Sequence, residues 1–153
     1  MDNTSIILRP IGRVCSPVSK GVDCGWGEVR SEIIIDDAYA DGLSGLKQFS
    51  HIWVLFYMHK ADFDKSRHLL RRPQERSDMP LTGIFAQRAK HRPNPIGITA
   101  AEVVDVCESR ILVKGLDAID GSLVLDIKPY YPQYDKKEAA VPNWVDVLMD
   151  GYF

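Results

Sequence analysis

The side chains best suited to bind a charged ligand lie in one run, GIFAQRAKHRPNPIGIT, at residues 83–99. Three cationic side chains and one histidine directly precede the Pro-Asn-Pro tripeptide at 93–95: Arg88, Lys90, His91 and Arg92. Each proline holds φ at about −65° and disfavours helical geometry in the preceding residue, so this bend is stiff. Rigid backbone carrying fixed positive charge suits an anionic or carboxylate-bearing ligand, and a surface proline loop with incidental charge is the plain alternative.

Polar residues also follow or interrupt apolar strands elsewhere. His59 and Lys60 come directly after the apolar run at residues 51–58, although a strand that simply ends would give the same pattern. Asp126 alternates with apolar residues, so it shares a strand face with Lys128. A carboxylate on a partly apolar face seldom stays unpartnered, so we expect Asp126 to pair with Lys128 or with a ligand amine.

The elements that must position these residues are short strands. Residues 51–58 alternate with apolar side chains on both faces, which predicts a central strand. Evenly spaced short strands with turn signals predict a mainly β protein, a small barrel or sandwich with short peripheral helices. The chain lacks G-x-G-x-x-G and G-x-x-x-x-G-K-[ST], so a Rossmann-type nucleotide site is not indicated. The predicted strands are residues 6–8, 32–36, 51–58, 83–86, 102–107, 111–116 and 122–128, and the predicted helices are 41–49 and 139–149.

Length and charge indicate one domain with an uneven surface. The 153 residues predict a single domain over 1–153, in which residues 60–82 form a long basic loop. Residues 60–92 hold nine Lys or Arg and four acids, a net charge of +5, whereas the rest of the chain has ten bases and 17 acids. A concentrated basic segment in an otherwise acidic protein favours a phosphate-bearing partner, and a solvated loop is the ordinary alternative.

Composition excludes several classes of protein. No apolar run approaches the roughly 18 residues that a membrane helix needs, so no membrane association is expected. Three cysteines without a C-x-x-C pair indicate neither a disulfide framework nor a zinc site, and they favour the cytoplasm, where thiols stay reduced. The four histidines lie in separate segments, so no metal site is expected.

Three blocks together resemble the TsaA-like, or TrmO, methyltransferases. They are FSHIWVLFYMHK (49–60), GIFAQRAKHRPNPIGIT (83–99) and GLDAIDGSLVLDIKPYYP (115–132), and they cover under half of the chain. The resemblance implies a small β-barrel that binds S-adenosylmethionine and acts as a homodimer. The implied reaction transfers a methyl group to the modified adenine nitrogen of a threonylcarbamoyl-adenosine next to the anticodon of certain tRNAs.

Residue by residue, the resemblance implies a site around the ends of several strands. Arg88 or Lys60 would meet the cofactor carboxylate, Asp117 its ammonium or ribose hydroxyls, and apolar residues its adenine. Asp126 is the candidate general base, with Asn94 as a second catalytic candidate. The implied cofactor residues are His59, Lys60, Arg88, Ile98, Gly115, Leu116 and Asp117, and the implied substrate residues are Arg92, Lys128 and Tyr130.

Two departures from the family pattern keep other functions open. Members proven on tRNA carry a Pro-Arg-Gln element near the first loop, whereas this chain reads GVDCGWG at 21–27, where Trp26 could replace the contact. Those members also extend beyond the third block into a second small domain, whereas this sequence ends at Phe153. The acceptor could therefore be another RNA base or a small molecule, or the chain could be a non-catalytic cofactor-binding regulator.

Overall fold

The computed structural model describes residues 5–153, and in that range it has eight strands, three short α-helices and several turns of 3-10 helix. The strands are β1 (Gly12–Cys15), β2 (Arg30–Ile35), β3 (His51–Tyr57), β4 (Leu70–Arg71), β5 (Thr82–Gly83), β6 (Ile96–Cys107), β7 (Arg110–Lys114) and β8 (Leu123–Pro129). The α-helices are α1 (Lys65–His68), α2 (Pro132–Asp135) and α3 (Asn143–Met149). The 3-10 turns are Trp26–Glu28, Asp37–Leu43, Leu46–Gln48, Pro73–Glu75 and Ile84–Ala86. None of the helices described is long and apolar enough to cross a membrane.

Six strands close into an antiparallel barrel in the order β1-β2-β7-β6-β3-β8, with β8 returning to β1. The strands β4 and β5 form a separate two-stranded sheet. The expected fold class, a mainly β barrel with short peripheral helices, is therefore confirmed. The strand β3 lies between β6 and β8, as its apolar faces predict.

The barrel core is filled by alternate residues of its strands. Ile52, Val54 and Phe56 of β3 point inward and are at most 4% exposed. Phe56 lies directly opposite Gly97 on β6, and a Cβ atom added at Gly97 would lie 2.3 Å from Cζ of the Phe56 ring. The glycine of the PNPIG sequence is therefore a packing requirement, because any side chain there would enter the space of the ring.

Two of the predicted strands are wrong. Residues 6–8 form no strand; Ile6 and Ile7 are 81% and 87% exposed, and the barrel closes without them because β1 already pairs with β2 and β8. Residues 83–86 contain only the end of β5, followed by a 3-10 turn. The strand predicted at 102–107 is longer than expected, since β6 begins at Ile96, directly after the second proline of the bend.

The basic segment, defined here as residues 60–92, contains more structure than the predicted long loop. It includes α1, β4, β5 and two 3-10 turns. The amide Nε2 of Gln87 donates to the carbonyl oxygens of Arg71 and Thr82, both at 2.9 Å. The buried ring of His68 stacks on His91 with centroids 4.7 Å apart. These contacts join distant parts of the basic segment to one another.

Candidate functional site

One end of the barrel gathers most of the residues that the sequence singles out. At this end β1, β3 and β7 finish and β2, β6 and β8 begin, because neighbouring strands are antiparallel. The connecting segments 16–29, 58–95 and 115–122 therefore meet there. We call this region the site end.

Asp117 is held at the site end by two hydroxyl groups. Thr99, an inward-facing residue of β6, donates from Oγ1 to one carboxylate oxygen of Asp117. Tyr152 donates its hydroxyl to the other oxygen at 2.8 Å. Gly115 begins the turn with a φ of 79°, and its amide donates to the carbonyl of Val29 at 3.0 Å. The carboxylate is thus fixed in direction by one donor on each oxygen.

The hydroxyl of Tyr152 lies among charged groups. Burial raises its pKa well above the usual range, and the carboxylates of Asp117 and Asp23 raise it further, whereas the guanidinium of Arg88 lowers it. Tyr152 is consequently a neutral donor at physiological pH. Asp23 and Arg88 thus contribute to the electrostatic surroundings of the hydrogen bond between Tyr152 and Asp117.

Arg88 and Ile98 are joined directly. Nη2 of Arg88 donates to the carbonyl of Ile98 at 2.6 Å, and Ile98 immediately precedes the Thr99 that holds Asp117. The Ile98 side chain points outward from the barrel, opposite Leu55 of β3. Leu116, by contrast, is completely buried in the core, so only its backbone faces the site end.

His59 and Lys60 lie at another part of the site end, beside the first loop. Lys60 donates from Nζ to the carbonyl of Ser19 at 2.8 Å. The ring of His59 lies against Gly121, and its Nδ1 is buried without a hydrogen-bond partner among residues 5–153. The structure therefore places both residues at the site end, as expected, with one polar atom of His59 unsatisfied.

The Pro-Asn-Pro bend uses its arginine internally. Nη1 of Arg92 donates to the carbonyls of Gln87 and Ala89 at 3.1 and 3.4 Å. The carbonyl of Pro95 accepts from the amide of Met58 at 2.8 Å, which joins the bend to the end of β3. Asn94 is exposed beside the site end. Asn94, the predicted catalytic residue, is therefore accessible to a substrate. The guanidinium of Arg92, the predicted substrate residue, instead binds backbone carbonyls beside the bend.

Three predicted residues lie away from the site end. Asp126 and Lys128 project from the outer face of β8 and form an ion pair at 2.7 Å, as expected from their spacing, which raises the pKa of Lys128. Tyr130 packs against Trp53 with ring centroids 5.7 Å apart, near the opposite end of the barrel. At ~3.3 Å per residue, Lys128 lies roughly 17 Å along β8 from its start. Asp126 lies in one outward-facing row with Leu55 and Ile98, whereas Asp117 is bonded to the inward-facing Thr99.

Sequence reasoning missed three residues of the site end. Thr99 could have been found, because it follows Ile98 in the third position of the GIT sequence and must face the opposite side of the strand. Tyr152 and Asp23 could not, since Tyr152 and Asp117 are 35 residues apart and no local pattern joins them. Trp26 is buried, and its indole N–H donates to the carbonyl of Val22 at 3.0 Å.

Comparisons with known proteins give the family. The sequence family described as the tRNA-methyltransferase O N-terminal domain matches residues 23–136. The chain belongs to the tRNA-methyltransferase O family. The family resemblance read from the sequence blocks is therefore confirmed.

The relatives differ in length and in name. A protein of Archaeoglobus fulgidus named S-adenosyl-L-methionine-binding protein is 42% identical over 134 residues, covering 85% of this chain and 93% of its own. The human tRNA (adenine(37)-N6)-methyltransferase is 43% identical over 157 residues, covering 95% of this chain and 35% of its own. The crystal structure of TrmO from Pseudomonas aeruginosa superposes with a TM-score of 0.76 at 30% identity over 95% of this chain and 63% of its own. The chain thus spans under two thirds of TrmO.

Proposed function

We propose that this chain is an S-adenosylmethionine-dependent methyltransferase that acts on a tRNA adenosine, at the N6 nitrogen of threonylcarbamoyl-adenosine next to the anticodon. The observation that carries the proposal is the site end, where a carboxylate aimed by two hydroxyls lies near a guanidinium. Membership of the tRNA-methyltransferase O family and similarity to proteins named as tRNA (adenine(37)-N6)-methyltransferases support it.

The side chains at the site end fit the functional groups of the cofactor. S-adenosylmethionine supplies a methyl group on a positively charged sulfur, which an acceptor nitrogen attacks directly. Asp117 offers acceptor lone pairs to an ammonium or a ribose diol, and Arg88 retains N–H donors for a carboxylate. His59 and Lys60 provide the second wall, and the unsatisfied Nδ1 of His59 marks a point where a polar group is needed.

The methyl acceptor must lose a proton, because its nitrogen carries a hydrogen before the transfer. We assign Asp126 as the base and Asn94 as a group that orients the acceptor. Asp126 lies on the outer face of the barrel, so it would reach the reaction only at the site end of a second copy. Lys128 and Tyr130 lie on the same side of β8 and would contact the bound tRNA there.

The outer face of β3, β6 and β8 supports the proposal of a homodimer. Tyr57 lies opposite both Ile96 and Leu123, and all three side chains are 38–39% exposed. The next row adds Leu55 and the exposed Ile98. A row of apolar side chains on a sheet surface is typical of an interface between protein subunits. We therefore propose that two copies pair through this face.

The dimer is tested by a charge placed on that face. Ile96→Lys should give a monomer in light scattering after size-exclusion chromatography, since the two copies would bring like charges together. Val104→Lys is the matched control, because Val104 is equally exposed on β6 but lies beyond this face. A wild-type chain that is already monomeric at micromolar concentration would contradict the proposed dimer.

The basic segment is the proposed contact with tRNA. The side chains of Lys65, Arg67 and Lys90 are exposed, and within the range 5–153 none of their cationic groups takes part in an ion pair. The ring of Phe85 in the same segment is 77% exposed and offers a surface on which an unpaired base can stack. We propose the cytoplasm as the compartment, because tRNA is found in the cytoplasm and because the cysteines are free thiols: Cys15, Cys24 and Cys107.

One observation favours a second function. The alignments cover 93% of the relative from Archaeoglobus fulgidus and 97% of that from Methanothermobacter thermautotrophicus. The first is named as an S-adenosyl-L-methionine-binding protein and the second as a probable one. These names support a second candidate function, in which the chain binds the cofactor as a regulator or methylates another RNA or a small molecule.

Calorimetry with S-adenosylmethionine and a methyl-transfer assay separate these functions. We expect micromolar cofactor binding and methyl transfer to tRNA that carries threonylcarbamoyl-adenosine, with none to the same tRNA lacking that group. Cofactor binding without transfer to either tRNA would favour the second function. The absence of cofactor binding would overturn both.

A further inference from the structure

Residues 151–153, here called the tail segment, dock on the turn at residues 25–27. The amide of Gly25 donates to the carbonyl of Gly151 at 2.9 Å, and the amide of Trp26 donates to the carbonyl of Tyr152 at 2.8 Å. A Cβ atom at Gly27 would lie only 2.5 Å from the carbonyl carbon of Phe153. The Gly-Trp-Gly sequence, which lacks the third glycine of a nucleotide-binding loop, is thus shaped to receive the tail segment.

Docking brings the phenol of Tyr152 to the proposed cofactor site. Its hydroxyl donates to Asp117 at 2.8 Å, on the oxygen that Thr99 leaves free. The ring of Phe153 packs edge-on against that of Tyr152 with centroids 5.0 Å apart, which limits rotation of the phenol. The family match ends at residue 136, so Tyr152 lies outside the part of the chain that defines the family.

We propose that Tyr152 is a positioning residue of the cofactor site, which aims the carboxylate of Asp117 at the ribose hydroxyls or the ammonium of S-adenosylmethionine. A carboxylate oxygen has about two lone-pair sites, so after Thr99 and Tyr152 have donated, one site on each oxygen remains for the ligand. Two neighbouring hydroxyls of a ribose match this pair of acceptors. The inference rests on the proposed function of the site end.

The test compares Tyr152→Phe with Tyr134→Phe. Tyr134 is 78% exposed in α2 and serves as the matched control. We expect Tyr152→Phe to bind S-adenosylmethionine about tenfold more weakly by calorimetry, the effect of losing one hydrogen bond to a charged group, with an unchanged kcat at saturating cofactor. The thermal midpoint serves to identify any general loss of folding, and Tyr134→Phe should match the wild type in every measurement.

A double-mutant cycle distinguishes positioning from a structural role. Because Tyr152 acts through Asp117, the change Tyr152→Phe should cost no further affinity in an Asp117→Asn background. Equal binding by the wild type and Tyr152→Phe would overturn the inference and leave the proposed function intact. Tighter binding by Tyr152→Phe would also overturn it, because the phenol would then compete with the cofactor. A wild-type protein that does not bind the cofactor would remove the proposed function and the inference together.

Discussion

Replacing Gly97 by alanine tests whether the glycine of the PNPIG sequence is needed for packing. The new Cβ would lie 2.3, 2.5 and 2.9 Å from three ring carbons of Phe56, well inside van der Waals contact. The ring is only 4% exposed and is enclosed by the barrel, so it must shift within a packed core. Overpacking of this kind costs about 1–3 kcal/mol. For a chain of this length that cost lowers the thermal midpoint by roughly 2–4 °C per kcal/mol.

The control is Gly42→Ala, because no atom lies within 4 Å of the added Cβ. Urea denaturation should show Gly97→Ala destabilised and Gly42→Ala within about 0.5 kcal/mol of the wild type. Phe56→Leu makes room at the same place, so the double variant Phe56→Leu/Gly97→Ala should lose less stability than the two single losses added together. Full stability of Gly97→Ala, or strictly additive losses, would refute the steric explanation.

Three further predictions concern charge and chemistry. Arg88→Ala should weaken S-adenosylmethionine binding by about 10- to 150-fold in calorimetry, whereas Lys90→Ala, a change at an exposed lysine two residues away, should have little effect; equal losses would exclude a specific contact. Asp126→Asn should retain cofactor affinity and lower kcat by roughly 100-fold or more, and wild-type turnover would end its assignment as the base. Burial, with nearby positive charge, lowers the pKa of His91 from 6.5. The unfolded chain therefore binds more protons, so the free energy of unfolding should fall as the pH drops below about 6.5. In His91→Asn that fall should be smaller in melts between pH 7.5 and 5.5.

The barrel was predictable where strands are long and alternate clearly. The strand β3 is apolar on both faces, which predicted its central place in the sheet, and its alternate residues Ile52, Val54 and Phe56 fill the core. Ile6, Ile7 and Leu8 are as apolar as a strand, but they form none, and no local pattern reveals that β1 already pairs with both of its neighbours. Whether residues 6–8 form a strand depends on the pairing of strands that are distant in sequence.

The sequence predicted which segments would form the candidate site, but it did not predict the hydrogen bonds within that site. The family resemblance implied that His59 and Asp117 belong to one site, and both lie at the site end, since each follows a strand that finishes there. The partner of Asp117 was not predictable, since Tyr152 reaches it only through the docking of a distant segment. Hydrogen bonds between residues far apart in sequence leave no local trace.

The side chains of the GIFAQRAKHRPNPIGIT run mostly build the run itself. Gln87, Arg88 and Arg92 all donate to backbone carbonyl oxygens of the same protein. A guanidinium bound to a carbonyl keeps its charge and part of its donor set, so Arg88 can hold the backbone and still attract a carboxylate. The guanidinium of Arg88 thus donates to the carbonyl of Ile98 within the run and, in our proposal, keeps N–H groups for the cofactor carboxylate. Asn94 is exposed at the tip of this bend, and a rigid support is what an orienting amide requires.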